Sequence, residues 1–144
     1  MLFLLSCGGG NEADSASTQS AEKPQSMLKE KVDPMQDKGV GPIQSVTLAA
    51  EIDQDMAAKG KEVYDRLCTA CHKPTERFIG PAPQGILDRR SPEWVMNMIL
   101  NPEQMVKENE AAKKLLMEYN GSPMANQNLT EEEARQVLEY FRTL

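Results

Sequence analysis

The chain has 144 residues and a net charge of −6, with three Cys, one His and only 5 % aromatics. That length suits one domain plus a tail, and the acidic balance argues against nucleic acid, which is bound through Lys/Arg-rich surfaces. One histidine and three cysteines exclude a four-cysteine zinc site and any single-chain site that needs two histidines, bis-histidine haem among them.

The chain opens Met1-Leu2-Phe3-Leu4-Leu5-Ser6-Cys7. This short apolar run ends in a small residue and a cysteine, and it is too short to span a bilayer. Leu4-Leu5-Ser6-Cys7 resembles the lipobox that closes a bacterial lipoprotein signal. The resemblance implies cleavage before Cys7, lipidation of Cys7, and a periplasmic protein anchored to a membrane. Residues 1–7 are then a signal remnant. Residues 8–50 are rich in Gly, Ser, Gln and Pro, carry six acidic and four basic residues, and have no apolar periodicity. This composition is that of a flexible tether. About 40 residues of coil give an r.m.s. reach of roughly 35 Å. The second half, "VGPIQSVTLAAEID", holds a short apolar run that can pack on the domain.

The domain is expected over 51–144 as four helices. The first starts at Asp53, an N-cap, and runs to Leu67, with Met56, Val63, Tyr64 and Leu67 on one face beside Gly60. Ser91-Pro92, a cap followed by proline at the first helical position, opens the second, with Val95, Met98 and Ile99 inward and Asn101-Pro102 at its end. A third spans about Pro102 to Tyr119 and is stopped by Gly121. The fourth starts at Thr130, where Thr130 and Glu133 form a capping box ahead of Ala134, Val137, Leu138 and Phe141. No strand pattern appears, so the fold class is all-α.

Between the first two helices stands Cys68-Thr69-Ala70-Cys71-His72. Two thiols one turn apart can add to the two vinyl groups on one side of a porphyrin, and the adjacent imidazole then reaches the iron. This is the attachment signature of haem c. Zinc would lack two ligands, a redox dithiol would lack its βαβ setting, and chance occurrence is the remaining alternative. One covalent haem c held by Cys68, Cys71 and His72 is the reading adopted.

The flanking residues resemble class I c-type cytochromes over nearly the whole domain. Gly60, Tyr64 and Cys68 fall at the spacing of that family's first helix. The resemblance implies a last helix crossing it, with Tyr140 or Phe141 packed against Gly60. Gly80-Pro81 matches the family's Gly-Pro, which implies that the Pro81 carbonyl accepts the His72 Nδ1 proton and orients the ring. With no second histidine, the sixth ligand is Met or nothing. The resemblance implies Met124, beside Pro123 in the loop before the last helix, so that His72 and Met124 hold the iron. Met56, Met98 and Met117 are expected in the core, and Met96 outside. Trp94 is expected either to donate its indole N–H to a haem propionate or to be core. Arg89 and Arg90 either neutralise propionates or form a solvated pair.

A filled His/Met site leaves no open iron position, which implies an electron-transfer protein and not an enzyme. A peroxidase would want a distal histidine. The main rival is a haem-based sensor or small-ligand binder with a weak sixth site, and a structural lipoprotein with an incidental motif is the other. The stretches "TERFIGPAPQGILDRRSPEWVMNMILNPEQM" and "MANQNLTEEEARQVLEYFR" are similar to small cytochromes that accompany nitrous-oxide reductases and terminal oxidases. That similarity implies a monomeric carrier taking electrons from the quinol/cytochrome chain and passing them to a terminal reductase or oxidase.

Overall fold

The computed structural model describes residues 32–144. The signal remnant with Cys7 and the tether through residue 31 lie outside the described residues. Five helices follow one another: α1 (Gln54–Leu67), α2 (Pro92–Leu100), α3 (Pro102–Glu108), α4 (Glu110–Glu118) and α5 (Glu131–Phe141), with a 3₁₀ turn at Ile86–Asp88. No strand occurs among the described residues. The expected all-α class is what the chain adopts.

The helix starts follow the local chemistry. Asp53 accepts from the Met56 N–H at 2.9 Å, and Ser91 accepts from Trp94 N–H at 3.1 Å with Pro92 behind it. Thr130 and Glu133 close the capping box in both directions. Each cap satisfies N–H groups that the first helical turn leaves without partners. The helix expected over 102–119 is in fact two. Asn109 leaves the helical region at φ −98° and ψ 122°, and its side-chain oxygen caps α4 by accepting from Ala112 N–H at 2.9 Å. The apolar spacing runs through the break, which is why periodicity alone joins the two.

The core joins Val63, Trp94, Val95, Met96, Ile99, Met105, Ala112, Ala134, Val137 and Leu138. Helices α1 and α5 cross at Gly60, where any Cβ would collide with the carbonyl oxygen of Gln136. The closest approach to Gly60 is made by the α5 backbone at Gln136 and Val137. Tyr140 and Phe141 pack on Tyr64, with ring centroids 5.3 and 5.9 Å away. Glu139, 1 % exposed, ties the two helix ends together. It accepts from the Asp53 N–H, Arg135 and Arg142, while Arg142 also donates to the Ala49 carbonyl at 2.7 Å.

The second half of the expected tether packs on the domain, as its apolar run suggested, and the packing begins earlier than that run. Residues 37–46 form a strap docked on the outer side of α2. Asn97, 1 % exposed, donates to the Lys38 and Ile43 carbonyls and accepts from Ile43 N–H, each at 2.9 Å. Ser91 donates to the Asp37 carbonyl at 2.6 Å, and Val46 N–H donates to Glu93 at 3.0 Å. Met96 is buried although expected outside: it belongs to the core, and α2 is covered by α5 as well as by the strap. Met117, expected in the core, is 74 % exposed, and Met56 is half-buried.

Candidate functional site: a haem c cleft

The chain continues helically for one turn past α1. His72 N–H and Cys71 N–H donate to the Cys68 carbonyl at 2.9 and 3.1 Å, so Cys68 and Cys71 stand one turn apart and His72 follows at once. The Tyr64 hydroxyl donates to the His72 carbonyl at 3.0 Å and pins this turn to α1. Among the described residues both cysteines are free thiols. Burial first, and then the neighbouring Cys71, pushes the Cys68 thiol up to about 11. Before any attachment it is therefore a neutral thiol at pH 7.

His72 is clamped by the chain that follows. Its Nδ1 lies 2.8 Å from the Pro81 carbonyl, which fixes Nδ1 as the protonated nitrogen and leaves Nε2 as the metal-binding lone pair. Gly80 N–H donates to the Cys71 carbonyl at 2.8 Å. A Cβ on Gly80 would strike the imidazole at Cε1, so only glycine lets the backbone lie this close to the ring.

His72 and both cysteines open into one cleft with about 1320 Å³ of empty space, open solvent at its mouth included. Its walls come from α1 (Tyr64, Leu67), from Pro81, Pro83 and Ile86, from α2 (Val95, Met98, Ile99), from α4 (Leu115, Leu116) and from α5 (Val137, Phe141). Ser122, Pro123 and Met124 line it from the loop before α5. A left-handed turn at Asn120 (φ 59°) and Gly121 (φ 71°) ends α4 and directs this loop. The residues fit a covalently held haem: paired thiols at the rim, an oriented imidazole, and walls that are almost wholly apolar.

Of the other residues singled out by sequence, Trp94 lines the cleft but its N–H is committed elsewhere. The indole donates to Asn109 Oδ1 at 3.1 Å, and the residue is 2 % exposed. The propionate role is thus replaced by an internal bond. Arg89 is exposed, does not line the cleft, and donates to the Ala82 carbonyl at 3.3 Å. Arg90 places its guanidinium 5.0 Å from the centre of the Trp94 ring. Met98, expected as core, is a cleft-wall residue. Sequence reasoning missed Asn97 and Asn109. Their one visible signal is an amide embedded in otherwise apolar or helical stretches.

A search of curated protein sequences finds no match. The family model described as "Cytochrome c" matches residues 57–144. Cytochrome c from Rhodothermus marinus is 43 % identical, with a TM-score of 0.69 over 72 % of this chain and 88 % of that one. An engineered form of the same protein, bound to a carbene intermediate (1-ethoxy-1-oxopropan-2-ylidene), is 42 % identical with a TM-score of 0.66 over 72 % of this chain and 88 % of that one. With the Cys68/Cys71/His72 turn, the Pro81 clamp and the crossing of α1 and α5, these matches identify the chain as a member of the cytochrome c family, a class I c-type cytochrome with one covalently attached haem c.

Proposed function

We propose that this haem c electron carrier is ligated by His72 and Met124, anchored in the periplasm through a lipidated Cys7, and serves a terminal reductase or oxidase. The observation that carries the ligand set is that His72 and Met124 line the same cleft from opposite chain segments, while no second histidine exists. The haem supplies one-electron iron chemistry when bound. The protein's part is positional. Pro81 and Gly80 fix the imidazole, the apolar walls exclude water, and the Asn120–Gly121 turn directs the methionine loop. With His72 and Met124 as its ligands the haem iron would have a raised reduction potential, as a soft thioether ligand gives, and this suits a carrier.

The periplasmic anchor is supported by the Leu4-Leu5-Ser6-Cys7 sequence alone. The partners, a quinol- or cytochrome-chain donor and an acceptor of the nitrous-oxide reductase or terminal oxidase class, rest on the similarity of the loop and last-helix sequences. Mass spectrometry of protein from its native membrane should find diacylglyceryl-modified Cys7 as the first residue. An unmodified residue upstream of Cys7 would exclude the anchor.

Replacing Met124 by Ala tests the ligand. Haem stays attached, because Cys68, Cys71 and His72 are untouched. The thioether charge-transfer band of the oxidised protein disappears, carbon monoxide binding appears, and the potential falls, with about 59 mV for each tenfold shift. A parent that binds carbon monoxide readily, or a variant unchanged in band and potential, favours the second reading: a small-ligand binder with an open sixth site. The engineered relative whose structure holds a carbene intermediate is the observation that keeps that reading in view.

A further inference from the structure

Trp94 belongs to the cleft wall, yet the groups that fix it, Asn109 and behind it Asp37, do not line the cleft, and Asp37 precedes the matched family region. The indole N–H donates to Asn109 Oδ1, and the same oxygen accepts from the Ala112 N–H. On the other side the Asn109 amide nitrogen donates to both carboxylate oxygens of Asp37, each at 2.9 Å. A carboxylate only accepts. It therefore dictates which way the Asn109 amide faces. The reverse orientation would set a carbonyl against the carboxylate and an NH₂ against two N–H donors.

Asp37 is itself held by the strap. Its Oδ1 accepts from Gly39 N–H at 2.9 Å, and its carbonyl accepts from Ser91 Oγ at 2.6 Å. Gly39 has φ +72°, and a Cβ there would lie 2.7 Å from the Met105 thioether, so the turn is specific to glycine. We infer that the strap is part of the haem site: Asp37 is a positioning residue that, through the Asn109 amide, fixes the indole of Trp94 in the wall of the haem cleft. Without Asp37 the amide is held from one side only, by its oxygen's bonds to the Trp94 and Ala112 N–H groups. The acceptor of the buried indole N–H is then less firmly placed, the ring loosens, and water gains access to the cleft.

The consequence has a sign that separates positioning from simple charge. Water beside the haem favours the more highly charged oxidised iron, so loss of positioning lowers the potential. Loss of a carboxylate charge alone acts in the opposite sense and raises it. In the holoprotein, Asp37→Ala should reduce the ratio of reduced to oxidised protein about threefold at fixed applied potential, about 30 mV at 59 mV per tenfold. The hydrogen-bond-sensitive indole band in ultraviolet resonance Raman should shift toward the free N–H position. In a Trp94→Phe background the Asp37→Ala decrease should vanish. Asp37→Asn keeps one acceptor oxygen and so holds the Asn109 amide less firmly; it should act in the same direction and more weakly, and it carries the test if the alanine variant yields no folded holoprotein. An unchanged or raised potential, an unshifted indole band, or an equal decrease in the Trp94→Phe background would overturn the assignment.

Discussion

The α1–α5 crossing and the seat of the strap on α2 are both buried, but they are held by different means. The crossing rests on backbone contact at Gly60, apolar packing around Val63, Val137 and Leu138, and an aromatic cluster of Tyr64, Tyr140 and Phe141. The strap has little apolar surface beyond Ile43, Val40 and Val46. It is fixed by polar side chains: Asn97, Glu93 and Ser91 bond to its backbone, and Asn109 bonds to the Asp37 carboxylate. Apolar packing tolerates small shifts but not added volume. A polar seat tolerates volume poorly too, and it fails outright when one partner is removed, because the other is left buried and unpaired.

Gly60→Ala should have the largest effect. The new methyl meets backbone and not a mobile side-chain end, so the crossing must open. Overpacking of this kind costs about 3 kcal/mol or more. The thermal midpoint of the holoprotein should drop by many degrees, and covalent haem yield should fall with it. A stable variant with normal yield would show that the two helices do not need this close approach.

Asn97→Ala breaks the other region. It orphans the Ile43 N–H and two carbonyls and should cost about 2–3 kcal/mol. Limited proteolysis should now cut within residues 37–48, while thermal stability falls less than in Gly60→Ala. A strap that stays resistant to cleavage would mean that Asn97 does not seat it.

Glu139→Gln probes the joint between them. Burial alone would raise this carboxyl, but the Asp53 N–H and the Arg135 and Arg142 guanidiniums outweigh it and hold it below the ordinary 4.5. A group depressed in the folded state stabilises fully above its unfolded value and loses that contribution as the pH falls through the folded one. The parent should therefore lose stability below about pH 4.5, and Glu139→Gln should flatten that acid limb. It should also lower stability at pH 7 by about 2 kcal/mol. The check is thermal unfolding from pH 3 to 7; parallel curves for the two proteins would rule Glu139 out as the source.

The smallest effect is expected from Thr130→Ala, which removes one side of the capping box. About 1 kcal/mol should be lost, with no change in potential, as judged by chemical denaturation and redox titration. A change in potential would mean that the start of α5 steers the Met124 loop.

Sequence was most legible where function depends on neighbours along the chain. Cys68, Cys71 and His72 form one turn, and the caps at Asp53, Ser91 and Thr130 act within three residues. The helix break at Asn109 was not legible, because Ala112 and Leu115 continue the apolar spacing of Met105 across it. The inward position of Met96 was not legible either, because α2 is covered both by α5 and by the strap, segments far away in sequence. Trp94 gave no hint of its partner, since an indole N–H bonds equally well to a propionate or to an amide oxygen, and only proximity chooses.

The chain by itself therefore determined the class of cofactor, the attachment turn, the all-α pattern and the helix starts, all of which are encoded at separations of one or two helical turns. Tertiary structure decided which polar groups meet. Asn97 with the strap, Asp37 with Asn109, and Glu139 with two arginines and the start of α1 join residues that are far apart in sequence or whose burial depends on distant segments. Their pairing is forced by the cost of leaving a buried donor or acceptor unmatched, and that cost exists only once the helices have packed.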